Sequence, residues 1–225
     1  MALPMLLYVK ERSKPKNISF EKTFKRIRQE SVDSFKLLKR YPEFLKFCGL
    51  FYQAGIAVVI TLSAVYAQLV MKFTTAQTIT LILVVNITAA IGAFVFGYVQ
   101  DRLGHKKTLA LTILLWIIMG VMAAFSHGPV SFWIAANIAG IAMGSSQSAG
   151  RAVVAVFAPA GELAQFYSAW NVAVWGANVL GPITYGTVTW LTSGDQRTAI
   201  LVTTLFFVIG LLILRRVHLP SKTVC

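Results

Sequence analysis

Six stretches of this chain, near residues 47–71, 77–99, 108–125, 131–153, 164–190 and 197–214, stay apolar for about the ~20 residues that a helix needs to cross ~30 Å of hydrocarbon. Nothing else in the sequence limits the fold as strongly. Lipid offers no partner to a bare peptide group, so a spanning segment is a helix or a strand of a closed barrel. These runs are too long for barrel strands and lack their period-two alternation. The rest of the composition agrees: 56% hydrophobic against 13% charged residues lies outside the range of soluble domains. The expectation is an all-α membrane protein with six transmembrane helices, joined at Lys72 to Ala76, Gln100 to Lys107, Ser126 to Val130, Val154 to Leu163 and Leu191 to Gln196.

The net charge of +13 invites a nucleic-acid reading until its placement is considered. Residues 1–46 hold 12 of the 21 Lys and Arg and 5 of the 8 acids. Counted by side of the six spans, 19 basic residues fall on one side and only Lys72 and Arg197 on the other. Cytoplasmic loops carry such an excess, so both termini are expected in the cytoplasm and no nucleic acid is implied. The chain divides into 1–46, 47–214 and 215–225: a basic cytoplasmic linker, the six-helix membrane domain and a short tail. Within the first part, Ala2 to Tyr8 is an apolar stub, and Ser19 to Lys46 reads as a basic amphipathic helix on lipid headgroups, carrying Phe20, Phe24, Ile27, Phe35 and Leu38. It is not a secretory signal, because its charges follow the apolar part instead of preceding it.

Chemistry of the enzymatic kind finds little footing. Cys48 and Cys225 form no paired spacing, and His105, His127 and His218 lie in or beside loops without a spaced partner. No catalytic residue, metal site or cofactor is expected. After the linker the acids are Asp101, Glu162 and Asp195, all at helix ends or in loops, so no carboxylate sits at mid-membrane for proton coupling.

Polar residues inside the spans are the candidates for a solute pathway. Gln53 in the first span, Asn137 and Gln147 in the fourth, and Asn171 and Asn178 in the fifth are the main ones, whereas the third and sixth spans are plainer. In the fifth, Tyr167, Asn171, Asn178 and Tyr185 fall at helical spacing on one stripe, with Trp170 and Trp175 nearby as apolar walls. Such a stripe either lines a pathway or bonds to a neighbouring helix. Gly176, Gly181 and Pro182 loosen the same helix and are candidates for a hinge, with close packing as the plainer account. Gly140 and Gly144 make a GxxxG in the fourth span. Arg151 lies about 30 Å from Ser131 along that helix, near the cytoplasmic interface, where it either snorkels or pairs with Asp101 or Glu162.

After the second span the chain reads Gly97-Tyr-Val-Gln-Asp101-Arg102-Leu-Gly104-His105-Lys106-Lys107. Gly97 would let helices approach closely, Gly104 would permit a tight turn, and Asp101 can accept charge-assisted bonds. This pattern resembles the signature loop of the major facilitator superfamily, with His105 where an arginine is usual. GIAMGSSQSAGRAVVAVFAP, Gly161-Glu162, Phe166-Tyr167 and WGANVLGPITYG resemble the C-terminal half of the family that includes the vacuolar amino-acid effluxers of autophagy and their bacterial relatives. The resemblance implies two inverted three-helix repeats forming half of a transporter, with the signature loop as a cytoplasmic gate. It implies a carrier for a small polar solute, amino acids among them, working by alternating access against an N-terminal half or a second copy of itself. A non-transporting subunit or scaffold, or a remnant of a longer transporter, is the alternative. The implied setting is a bacterial inner membrane, or a vacuolar-type membrane in a eukaryote.

Overall fold

The computed structural model describes residues 40–48, 51–159 and 161–219. The amphipathic helix expected over 19–46 falls almost wholly outside them. Seven helices are described: α1 (Pro42–Cys48), α2 (Tyr52–Leu69), α3 (Thr75–Leu103), α4 (His105–Ala124), α5 (Pro129–Phe157), α6 (Leu163–Leu191) and α7 (Gln196–Arg216). Their ends are set by local chemistry. The Thr74 hydroxyl accepts from the Gln77 N–H while the Gln77 side chain accepts from the Thr74 N–H at 2.9 Å, a capping box that starts α3. Gly104, at φ +81°, turns the chain directly from α3 into α4, a conformation that costs a side-chain-bearing residue dearly. Asp195 caps α7 by accepting from the Arg197 N–H at 2.9 Å.

Four segments, Pro42–Leu69, Thr75–Leu103, His105–Ala124 and Gln196–Arg216, are both long and apolar enough to cross a membrane. The helices α5 and α6 have the length, at 29 residues each, and fall short only in apolarity. The cause is the polar set the sequence concentrates there: Asn137, Gln147 and Arg151 in α5, Asn171 and Asn178 in α6, with their glycines. The first span also starts earlier than expected. Phe44 and Phe47 of α1 are fully buried, with Phe44 4.6 Å from the Phe166 ring and Phe47 stacked at 4.7 Å on Trp170. The candidate span Pro42–Leu69 thus takes in α1, because three aromatics in α1 and its approach give it an apolar face to bury.

Helix pairing reveals the symmetry. The helix α3 packs on α5 as α6 packs on α2, α4 on α5 as α7 on α2, and α3 on α4 as α6 on α7, while α4 and α7 meet each other. Exchanging the first three spans for the last three reproduces this set of contacts. Three helices per repeat leave corresponding spans antiparallel, so the two repeats are inverted. Small residues make the close approaches. A Cβ on Gly140 or Gly144 would run into the α3 backbone at Val85 and Ala89, and one on Gly92 would come within 2.6 Å of the Ile141 carbonyl. Gly181 plays the same part against the Ala54 carbonyl on α2. Between α4 and α7, Trp116 stacks on Phe207 at 5.2 Å, and the indole N–H donates to Ser146 on α5.

Candidate functional site

The signature loop lies at the end of the bundle that also holds the start of α1, the α5–α6 connection and the end of α7. Asp101, Arg102 and Lys107 are exposed, whereas Lys106 is half-buried because its ammonium donates to the carbonyls of Arg215 at 3.0 Å and Val217 at 2.7 Å. His105 exchanges a hydrogen bond with Gln100 at 2.8 Å, which ties the two sides of the turn. Gly97 does not serve the close approach expected of it: a Cβ there would meet nothing within 4 Å. Arg151 is exposed, and among the described residues it is not ion-paired with Asp101 or Glu162; its carbonyl instead accepts from the Tyr167 hydroxyl at 2.9 Å, closing the α5–α6 end. One carboxyl oxygen of Glu162 is buried there without a hydrogen-bond partner.

The pathway candidates separate into three groups. Asn171, Trp175 and Asn178 lie exposed on α6, with Trp175 at 71%, and no hydrogen bond holds either amide among the described residues. Asn137 and Gln147 are half-buried on α5, the former donating to its own helix at Trp133 O. Gln53, Trp170 and Tyr185 form a third set, buried within the bundle. Gln53 donates to the Tyr52 hydroxyl at 3.1 Å, Trp170 packs between Phe47 and Tyr52, and Tyr185 donates to Gln196 at 2.7 Å. The stripe on α6 is thus interrupted, because its last member turns inward beyond Gly181-Pro182. Of the hinge candidates, Gly181 is held by packing against α2, and Gly176 faces open space.

At the opposite end of the bundle the helices enclose a cavity of about 240 Å³. Its walls come from α2, α3, α4, α5 and α6, with Ile200 from α7 at the back. Of the pathway candidates, Tyr185 alone reaches it. Ser63, Tyr66 and Asn86 also bring polar atoms to its wall and were not among those candidates. Asn86 is a lone amide in an otherwise apolar run of α3, and that isolation was the available signal.

Two inverted triplets packed as described are one six-helix half of a major facilitator transporter. The fold superimposes with a TM-score of 0.67 on the fucose:proton symporter FucP of E. coli, over 96% of this chain and 52% of that one at 17% identity. It also superimposes with a TM-score of 0.65 on the E. coli xylose transporter XylE in its inward-open conformation, over 84% of this chain and 49% of that one at 19% identity. The chain matches the family described as vacuole effluxer Atg22 like over residues 1–224 and belongs to it. The uncharacterised MFS-type transporter YxiO of Bacillus subtilis is 26% identical over 226 residues, covering 98% of this chain and 51% of its own length. The chain therefore spans about half the length of such relatives. Its family and structural neighbours are transporters, and the protein is an integral membrane protein.

Proposed function

We propose that this chain forms the C-terminal half of a secondary transporter that moves a small polar solute, an amino acid in the first instance, by rocking against another six-helix unit. That unit is an N-terminal half, on the same polypeptide or a separate one, or less favourably a second copy of this chain. The observation that carries the reading is the pair of amides, Asn171 and Asn178, exposed on the 29-residue helix α6 with no hydrogen-bond partner among the described residues. Hydrocarbon would leave them unsatisfied at a cost of several kcal/mol per group, so protein or a water-filled pathway is expected against them. The match to about half of YxiO and of FucP supports the same partner. Asp101 and Arg102, exposed at the end of α3, are free to form contacts with that second unit in one conformation and lose them in the other.

Vesicles reconstituted with the transporter and loaded with a radiolabelled amino-acid mixture test this. Counterflow above that of empty vesicles is expected, and its absence for every amino acid tried would remove the substrate class. In the same vesicles Asp101→Asn should slow exchange at least several-fold at unchanged folded yield. A variant with normal exchange would make the loop a structural turn only.

A further inference from the structure

The cavity among α2, α3, α4 and α5 has a chemistry opposite to that of the amide stripe. Among the described residues, no Asp, Glu, Lys, Arg or His lines it. Its deeper polar atoms already have partners: the Tyr66 hydroxyl donates to the Ala123 carbonyl at 2.8 Å, that of Tyr185 to Gln196 at 2.7 Å, and the Trp116 indole N–H to Ser146 at 3.2 Å. The remaining wall is aliphatic, thioether and aromatic, including Met119, Phe132 and Met143. A water needs two to four polar partners to stay in such a place, and the inner wall offers it only the two tyrosine oxygens as acceptors. The groups with donor capacity left are the Ser63 hydroxyl, half-buried, and the second amide N–H of Asn86, an exposed residue whose nitrogen donates once, to Ile82 O at 2.8 Å, and whose carboxamide oxygen can accept. Free donors are thus confined to the outward part of the wall, and the interior keeps acceptors only.

We infer that this cavity is a side pocket for the compact apolar part of an amphipathic, uncharged-ended group on the transported solute, with Ser63 and Asn86 holding the adjoining polar atoms. The inference rests on the transporter reading and adds the shape of the solute to it. Size fits, since an apolar cavity of roughly 150 Å³ accepts benzene and this one has about 240 Å³. A phenyl ring or a branched chain of a few carbons fills it. A sugar ring does not suit it, because its several hydroxyls would find inside only two tyrosine oxygens as acceptors and no free donor. A lipid tail would leave Ser63 and Asn86 unpaired. Trp116 and Met119 of α4 and Ile200 of α7 form the back, so the pocket penetrates one half-bundle and is not merely its outer face.

The test uses 4-bromobenzyl alcohol as probe, an apolar ring with one hydroxyl whose bromine quenches indole fluorescence, and the transporter in detergent or vesicles. Saturable quenching is expected, lost in Trp116→Phe. Ala136→Phe, which fills the cavity from α5, should abolish the saturable component while helical content is retained; Ala64→Phe, filling it from α2, serves if the first variant does not fold. Asn86→Ala should raise the half-saturating concentration about tenfold. Purely linear quenching, or saturation indifferent to both filling variants, overturns the pocket; so does a partner side chain already occupying it, which would appear as no saturable quenching in the complete transporter. Because binding is read without transport, saturation in a protein that moves no solute refutes the carrier reading and leaves the pocket standing.

Discussion

A glycine in a membrane helix means different things at different positions, and the geometry around each one decides. Gly144 sits where its α-carbon faces the α3 backbone at Ala89, so any side chain forces two helices apart. Replacing it with leucine should destabilise the bundle by ~1–3 kcal/mol, the usual cost of overpacking. Gly97 faces open space within α3, and Gly97→Ala should be neutral or stabilising by up to ~1 kcal/mol through helix propensity. Thermal unfolding of the two variants in detergent reads this difference, and equal destabilisation would show that a partner closes on Gly97. Asp195 offers a second residue-level test. The hydrogen bond from the Thr198 hydroxyl, and after it those from the Arg197 and Thr198 N–H groups, hold its carboxyl below the ordinary aspartate range. A lowered folded pKa contributes stability above the unfolded value of about 3.9, and that contribution fades as pH falls through the folded value. Melting curves followed downward from about pH 6 should therefore show a loss below about pH 4 that Asp195→Asn, which keeps a cap without the charge, does not share. Asp195→Ala should cost about 1 kcal/mol at neutral pH.

At the scale of elements, the end of α7 is held by residues far away in sequence. Its terminal carbonyls, which no helical N–H can reach, receive the Lys106 ammonium from α4, and the next backbone N–H, of His218, donates to Glu43 in the first turn of α1 at 2.8 Å. Lys106→Met removes the ammonium and keeps the stem, so limited proteolysis after Arg216 should accelerate several-fold while the rest of the bundle resists. An unchanged cleavage rate would mean that Glu43 alone anchors the segment. Much of this level was legible beforehand. Turn chemistry at Gly104 and the length of each span are local properties, and local properties can be read from local sequence. The docking of α1 was not legible, because Phe44 and Phe47 are buried by Phe157, Phe166 and Trp170, which other helices supply. For the same reason the burial of Trp170 against Phe47 and Tyr52 cannot be read from its own helix. Ser63 and Asn86 escape a reading by stripes because helical periodicity works within one helix, and a cavity wall assembled from several helices leaves no stripe in any one of them.

For the whole molecule, the inverted repeat and the charge distribution make one joint statement about orientation. Three helices per repeat place the signature loop, the α5–α6 connection and both ends of the described chain on one face, and the loops at Met71 to Thr74, Phe125 to Gly128 and Thr192 to Asp195 on the other. The first face carries Arg102, Lys106, Lys107, Arg151, Arg215 and Arg216, while the second has only Lys72 and Arg197. Arg197 is moreover engaged, donating to the Ser126 carbonyl at 2.8 Å, so the second face has still less free positive charge than the count suggests. Basic loops stay in the cytoplasm, and an anionic leaflet attracts each exposed cation by about 1 kcal/mol. In a background with Cys48 and Cys225 replaced by serine, Lys107→Cys should react with a membrane-impermeant maleimide only after the membrane is opened, and His127→Cys should react in intact cells. Both positions are exposed, so protein packing does not block the reagent. Labelling of residue 107 in intact cells would invert the bundle and put the exposed ends of α3 and α4 outside, where the proposed role of Asp101 and Arg102 as a cytoplasmic latch could not hold.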